Sequence, residues 1–483
     1  MKKIILLLFI LGLYNLSFGQ KKVQPLPFTI QGQITNCPEN YLRIFFKDKN
    51  ETIIIDTLHL DKTGYFYLKT NKVIKPQRTS IQQKNIQIND IFIAPGYNLT
   101  ITGNGQDYMS LFNSKKITGI GSESNRYRVM LDSILVVRKY KTNWYEMNEP
   151  DLLAFIKKDQ KLEDSLVHVV FDKKPVRDKY LTYFGKMTRL DNQFNKLYLL
   201  MAHVDMNKYD YDKSVAIVRN NFDNKVLDNL FRDDYFISSD YQAWVGGEYL
   251  NYVINLNILK DPKIQKDLAY KLEILNKVYK GKLREYGLYH VMNSALYQCK
   301  TFEKMNGDKE LFKPYFASFK NLSYKNSIKT QFAEKEVELL RTQIGKPAPK
   351  FTLESNLNKT YSLDDFKGKV IYIDLWASWC GSCRVEMPDF RKLVNKFKDN
   401  NQISFLSIAI NDGINEWKKA LDEDKPDWIQ LIDKEGVVWK SYVASTIPKY
   451  ILIDKQGNIV NFDAPQPGSG EKIEKLLLSE IAK

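Results

Sequence analysis

Cysteine and histidine are both scarce, with four of each in 483 residues. Cys37, Cys299, Cys380 and Cys383 are too few to staple a chain of this length, which excludes a disulfide scaffold. His59, His168, His203 and His290 are dispersed, none at ligand spacing from another histidine or a cysteine, so no metal centre is expected. Past the N-terminus no uninterrupted apolar run is long enough to cross a bilayer. The formal charge is +15, yet there is no block of like charge and no arginine-rich arm. The excess lysine reads as a solvated surface; nucleic-acid binding is not expected, although a weak preference for acidic partners or anionic lipid is compatible with it. Gly103-Asn104-Gly105 and Gly119-Ile120-Gly121 do not complete a dinucleotide-binding loop and read as turns between strands. There is no internal repeat, which sets a helical solenoid aside.

The chain does have a distinctive start. Met1-Lys2-Lys3 is basic, Ile4 to Leu16 is almost wholly apolar, and Ser17-Phe18-Gly19 offers small residues where a signal peptidase reads. Residues 1–19 are therefore expected to be a signal peptide cleaved before Gln20, with a retained membrane anchor as the alternative. No cysteine lies near the cleavage point to carry a lipid. Export then colours the cysteines: a protein sent to an oxidising compartment with a C-x-x-C pair reads as redox-active rather than stapled.

The remaining length calls for about two to four domains. Residues 20–121 contain short β-rich runs separated by turn residues, such as Asp61-Lys62-Thr63-Gly64 and Pro95-Gly96, and read as an all-β sandwich or small barrel. Residues 122–342 change to helical periodicity, for example Leu190, Phe194, Leu197 and Met201 on one face, and predict about six to nine helices. Their aromatics read as core and surface filling. Cys299 shares a face with Val291, Ala295 and Phe302 and reads as a buried thiol, while Cys37 sits in a turn. A disulfide between these two is conceivable but nothing in the sequence brings them together. At Gly345-Lys346-Pro347-Ala348-Pro349 the pattern changes again. Residues 343–483 alternate strand and helix: a small hairpin, strand Val370 to Leu375, a helix from Cys380, strand Ile403 to Ile410, helix Ile414 to Leu421, the antiparallel pair Tyr450 to Asp454 and Asn458 to Phe462, and a closing helix from Glu471. That order gives an α/β domain with a mixed sheet covered on both faces.

The chemistry concentrates where strand Val370 to Leu375 hands over to a helix through Trp379-Cys380-Gly381-Ser382-Cys383. Free N–H groups and the positive end of a helix dipole stabilise a thiolate on the first cysteine. Thiol–disulfide exchange needs an exposed attacking thiolate, a second thiol to resolve the mixed disulfide, and a place for a proton. Cys380 suits the first need and Cys383, one helical turn below and less exposed, the second. Two carboxylates compete for the third. Asp374 lies in a strand where a charge is otherwise unwelcome, and Glu386 is one turn beyond Cys383. Each has a plainer alternative: Glu386 as an acid that favours the helix dipole, Asp374 as a solvent-facing strand position.

Several motifs in the right order give residues 343–483 a resemblance to the thioredoxin fold, and more narrowly to the TlpA/ResA-type extracytoplasmic thiol-disulfide oxidoreductases. They are Gly345 to Phe351, Trp376-Ala377-Ser378-Trp379-Cys380-Gly381-Ser382-Cys383, Pro388 in the helix, and Thr446-Ile447-Pro448 before a strand. The resemblance implies that Asp374 is the buried acid of thioredoxins, Glu386 the helix carboxylate of ResA-like proteins, and Ile447-Pro448 a loop ending in a cis-proline beside the cysteines. Gly381-Ser382 replaces the usual Gly-Pro between the cysteines, and that pair tunes redox poise, so the direction of electron flow is left open. Phe28-Thr29-Ile30-Gln31-Gly32, Asp56-Thr57, Gly64-Tyr65-Phe66 and Ala94-Pro95-Gly96 give residues 28 to about 120 a weaker resemblance to the β-rich N-terminal domain that precedes such modules in multidomain exported proteins of Bacteroidota.

The expectation is thus an exported, periplasmic, multidomain thiol-disulfide oxidoreductase, acting as reductase or isomerase on protein disulfides. It needs no cofactor beyond the Cys380–Cys383 disulfide, and by resemblance a membrane thiol–electron donor supplies it. Two rivals are a peroxiredoxin-type peroxidase, which lacks its threonine-containing loop here, and a binding protein whose thioredoxin-like module is only structural.

Overall fold

The computed structural model describes residues 26–483 except 49–52, 84–85, 138–142, 173–177 and 444–445, and leaves out the side chains of 135–137. The expected signal peptide, the beginning of the strand expected from Thr52, and part of the turn at Lys47 to Asn50 lie outside the described residues. No helix among those described is long and apolar enough to cross a membrane. Contacts divide the chain into a first unit up to Leu288 and a second from Tyr289 to Lys483.

The first unit begins with two four-stranded sheets. Strands β1 (Phe28–Thr35), β4 (Tyr65–Thr70), β7 (Asn98–Asn104) and β8 (Lys116–Ile120) form one, in the order β4-β1-β7-β8. Strands β2 (Tyr41–Lys47), β3 (Ile53–His59), β5 (Gln77–Gln83) and β6 (Ile86–Ile93) form the other, in the order β3-β2-β5-β6. Alternate residues such as Phe28, Ile30, Ile44, Phe46, Leu99 and Ile101 point into a common core. Gly32 is required where β1 runs parallel to β7, since a Cβ there would meet the Ile101 carbonyl oxygen at 1.7 Å. Two of these strands escape hydrophobic patterning. β5 turns Gln77, Thr79 and Gln83 inward, and Gln77 exchanges hydrogen bonds with the Lys47 backbone while Gln83 donates to the Glu39 carbonyl. Paired in this way, polar side chains can occupy core positions that alternation alone assigns to apolar residues. β8 contains Gly119, and Gly103 lies in β7, so these glycines sit within strands rather than in turns.

The core continues into Leu166, Val167 and Phe171 of helix Glu149–Phe171 and Phe184 and Met187 of helix Leu181–Asn207. Among the described residues ten α-helices lie between Ser122 and Arg341, more than the six to nine expected, and the surplus includes the five-residue helix Asn224–Asp228, too short to show periodicity. A π-helical stretch spans Tyr241–Glu248. Leu190, Phe194, Leu197 and Met201 are all buried along one helix.

In the second unit, helices Phe302–Ala317 and Leu322–Arg341 precede a seven-stranded mixed sheet. Its strands are β9 (Thr352–Ser355), β10 (Thr360–Ser362), β11 (Val370–Trp376), β12 (Ile403–Ile410), β13 (Ile429–Asp433), β14 (Lys449–Ile453) and β15 (Ile459–Asn461), in the order β10-β9-β13-β12-β11-β14-β15. β11, β12 and β13 are parallel, and β14 runs antiparallel to β11. All seven residues of β11 are buried, as a strand covered on both faces demands. Ile371, Ile373 and Leu375 face Leu363, Val438 and Tyr442; Val370 and Tyr372 face Phe390 and Leu393 of helix Gly381–Lys396 and Ile473 and Leu477 of helix Glu471–Ile481. β13 is absent from the order read off the sequence, because the buried polar Gln430 interrupts a run of only five residues. Both remaining cysteines are free thiols. Cys299 is buried against Met305 and Leu339, and half-burial raises the Cys37 thiol to about 11.

Candidate active site

β11 ends at Trp376 in the middle of the sheet, and the chain turns through Ala377 to Trp379 into helix Gly381–Lys396. The loop after β12 holds that turn. Asp412 accepts hydrogen bonds from the Ser378 amide at 2.5 Å and the Ser378 hydroxyl at 2.7 Å, and the Trp379 indole donates to the Asn411 carbonyl at 3.0 Å. Cys380 then occupies the N-cap, with extended backbone, and the Cys383 amide donates to its Sγ at 3.2 Å. A sulfur so placed takes the role that a serine or aspartate oxygen plays at other helix starts, satisfying one orphan N–H. The first helical turn carries no acidic residue that would oppose a thiolate.

Cys380 and Cys383 are joined as a disulfide with their Cα atoms 5.3 Å apart. They rest on Trp376, Met387, Ala409 and Trp417, with Ile447 packed against the same cluster. The Ile447–Pro448 peptide is cis. Contrary to the exposed attacking cysteine expected, Cys380 is 5% exposed and Cys383 3%. The disulfide belongs to the same buried cluster as Trp417, with Ile447 packed against it. Exposure belongs instead to their neighbours: Trp379 is 62% exposed and Gly381 and Ser382 are open to solvent. The Ser382 hydroxyl lies 3.5 Å from Cys380 Sγ. Pro388 is on the exposed face of the helix, within its length.

The two candidate acids differ sharply. Asp374 is buried in β11, on the sheet face that carries Tyr372 and Trp376. It does not face solvent. Burial pushes its carboxyl up to about 7; a hydrogen bond from Ser407 opposes this, and the charge of Glu386 adds to it. Its Oδ2 accepts from the Ser407 hydroxyl at 3.1 Å, and Oδ1 has no hydrogen-bond partner among the described residues. Glu386 is half-exposed and accepts from the Gly468 amide at 3.0 Å, which ties the active-site helix to the turn Pro467–Ser469. A buried carboxyl with a pKa near neutrality is suited to taking and returning a proton; a partly exposed one bound to an amide is suited to biasing its neighbour.

Four supporting residues were not read from the sequence: Ser407, Trp428, Asn411 and Asp412. Ser407 carried a signal, since a polar residue in the centre of the apolar run Ile403 to Ile410 repeats the oddity of Asp374 in β11. The other three lie in loops, Asn411 and Asp412 against the turn before Cys380 and Trp428 with its indole N–H on the Ser407 hydroxyl, and residue spacing does not reveal such contacts.

Residues 343–477 match the Redoxin family. The chain is 34% identical over 145 residues to the thiol-disulfide oxidoreductase ResA of Bacillus thuringiensis subsp. konkukian, a span of 30% of this chain and 79% of that protein. It is 29% identical over 146 residues to the thioredoxin-like protein YneN of Bacillus subtilis, covering 30% of this chain and 84% of YneN. Among solved structures, the thioredoxin domain of a thiol-disulfide oxidoreductase from Bacteroides vulgatus is 32% identical, covering 29% of this chain and 97% of that one, with a TM-score of 0.26.

Proposed function

The chain belongs, through its Redoxin domain, to the ResA-like thiol-disulfide oxidoreductases, and from that premise we propose that it exchanges the Cys380–Cys383 pair with disulfides of other proteins outside the cytoplasm, as a reductase or isomerase. The observation that carries this reading is a C-x-x-C disulfide capping the helix that follows β11, the strand whose buried Asp374 carboxyl has a pKa near 7.

In the reducing direction the Cys380 thiolate attacks one sulfur of a substrate disulfide, and the other substrate sulfur leaves as a thiolate. Asp374 then takes the proton from Cys383. The resulting thiolate attacks Cys380 Sγ in the mixed disulfide, releases the second substrate thiolate and leaves Cys380–Cys383 oxidised; two electrons have passed to the substrate. Helix N-terminal amides hold the negative charge on Cys380 in the first step and when it is regenerated. The backbone at Ile447-Pro448 presents an edge on which an extended substrate segment docks. A thiol donor at the membrane returns the electrons. Both cysteines are buried, so the substrate disulfide approaches through the exposed rim of Trp379, Gly381 and Ser382.

The test is turnover of a protein disulfide by the purified chain with dithiothreitol as donor. Cys380→Ser is expected to abolish the activity above the uncatalysed rate; full activity in that variant would overturn the mechanism.

A further inference from the structure

Asp374 does not act alone. β11 and β12 are parallel with Asp374 in register with Ser407, and Ser407 is fully buried. The Trp428 indole N–H donates to Ser407 Oγ at 2.8 Å, and the Ser407 hydroxyl donates to Asp374 Oδ2 at 3.1 Å. Trp428 is fixed in turn by Phe390 of the active-site helix, their ring centroids 5.0 Å apart, and by Arg391 over its face. A serine has one proton to give. With Trp428 occupying an acceptor position, that proton goes to Oδ2. The oxygen left without a partner among the described residues is Oδ1.

We propose that Ser407, oriented by Trp428, is a positioning residue for the resolving step: it holds Oδ2 so that Oδ1 is the atom that accepts the Cys383 proton and later returns it. This rests on Asp374 being the base, as proposed above. The proton moves from Cys383 Sγ to Asp374 Oδ1, the Cys383 thiolate displaces the substrate sulfur from Cys380, and no other reactant is needed. Ser407 gives up no proton. It stabilises the carboxylate over the acid, and so keeps a deeply buried carboxyl ionisable near neutral pH. The other groups around Asp374 work the opposite way or are neutral: Glu386 on the helix disfavours its charge, and Tyr372 on the same strand and Tyr450 opposite it on β14 are phenols whose pKa values burial raises.

The experiment uses the full chain, reduced, with 4,4′-dithiodipyridine as the disulfide. Release of the first thiopyridone reports attack by Cys380, and release of the second reports resolution by Cys383. In the wild type the second phase is expected to rise with pH on a limb near 7. Ser407→Ala is expected to move that limb up by about one pH unit and slow the second phase at pH 7 about fivefold, leaving the first phase unchanged. Trp428→Phe is expected to move it in the same direction by less, which keeps the test open should one variant fold poorly. In the Asp374→Asn background, Ser407→Ala is expected to change nothing further. If Asp374→Asn removes the limb and neither Ser407→Ala nor Trp428→Phe moves it, the positioning role is overturned and Asp374 stays the base. If Asp374→Asn leaves the limb in place, the base assignment itself falls, and the role of Ser407 with it.

Discussion

Asp374 makes the C-terminal unit less stable as the pH rises through neutrality, and the size of that effect follows from its burial. Its carboxyl is raised from the ordinary 3.8 to about 7, chiefly because the charged form has no water around it. A carboxyl with a higher pKa folded than unfolded binds its proton more tightly when folded. The stability it contributes is therefore complete below about pH 3.8 and is lost as the pH rises to about 7, with no further loss above. At about 1.4 kcal/mol per pH unit, the loss between pH 5 and pH 8 is about 3 kcal/mol. Asp374→Asn keeps the shape and an acceptor for Ser407 and removes the titration. The free-energy difference between the variant and the wild type should then swing by about 3 kcal/mol in favour of the variant between pH 5 and pH 8. The measurement is urea unfolding of the full oxidised chain, followed by mass-resolved hydrogen exchange of peptides covering 370–376, so that only the strand carrying Asp374 is read. Because every other titrating group is common to both proteins, the rest of the pH dependence cancels. A difference that stays flat within about 0.5 kcal/mol over this range would refute the raised pKa and the argument from burial behind it.

Other outcomes are expected from the same site. Glu386→Gln removes a charge that disfavours ionised Asp374, so the pH limb of the resolving step should move toward acid; loss of the limb in this variant would make Glu386 the base instead. Asp412→Ala removes the acceptor for the Ser378 amide and hydroxyl and should cost about 1–2 kcal/mol, with slower attack by Cys380 in the dithiodipyridine assay because the turn before it is no longer held; unchanged attack would mean that the helix cap alone sets the cysteine. Cys37→Ser and Cys299→Ser together should leave the exchange rate unchanged, since one thiol is raised to about 11 and the other is buried in an apolar cluster; a fall in turnover would bring a third thiol into the reaction.

Residues 343–483 were legible because their signals are local. A strand buried on both faces must be apolar nearly throughout, and Val370 to Trp376 is so except at Asp374. A helix cap must follow it at once, and Cys380 stands there. The hairpin of β14 and β15 is announced by Gly457 between two apolar runs, where φ is positive. What stayed hidden depends on pairing across the sheet. Gln77–Gln83 and Ile429–Asp433 are strands because neighbours satisfy or enclose their polar side chains, and no local pattern records a neighbour. The same holds for the site. Asp374 was visible as a charge out of place, whereas the proposal of Asp374 over Glu386 rests on burial, and the part proposed for Ser407 and Trp428 rests on register and a tryptophan from the bend before β13. The depth of the disulfide was missed for a like reason: a helix N-cap is an exposed place unless something covers it, and Trp417 and Ile447 come from elsewhere in the chain.

The most direct test of the central claim is to trap the intermediate. With Cys383→Ser in the full chain, Cys380 attacks a protein disulfide and cannot be displaced, so mass spectrometry after acid quenching should find the substrate cysteine linked to Cys380 and released by dithiothreitol. A reduced Cys380 that stays unmodified in the presence of protein disulfides, or a link that maps to Cys37 or Cys299, would contradict the account.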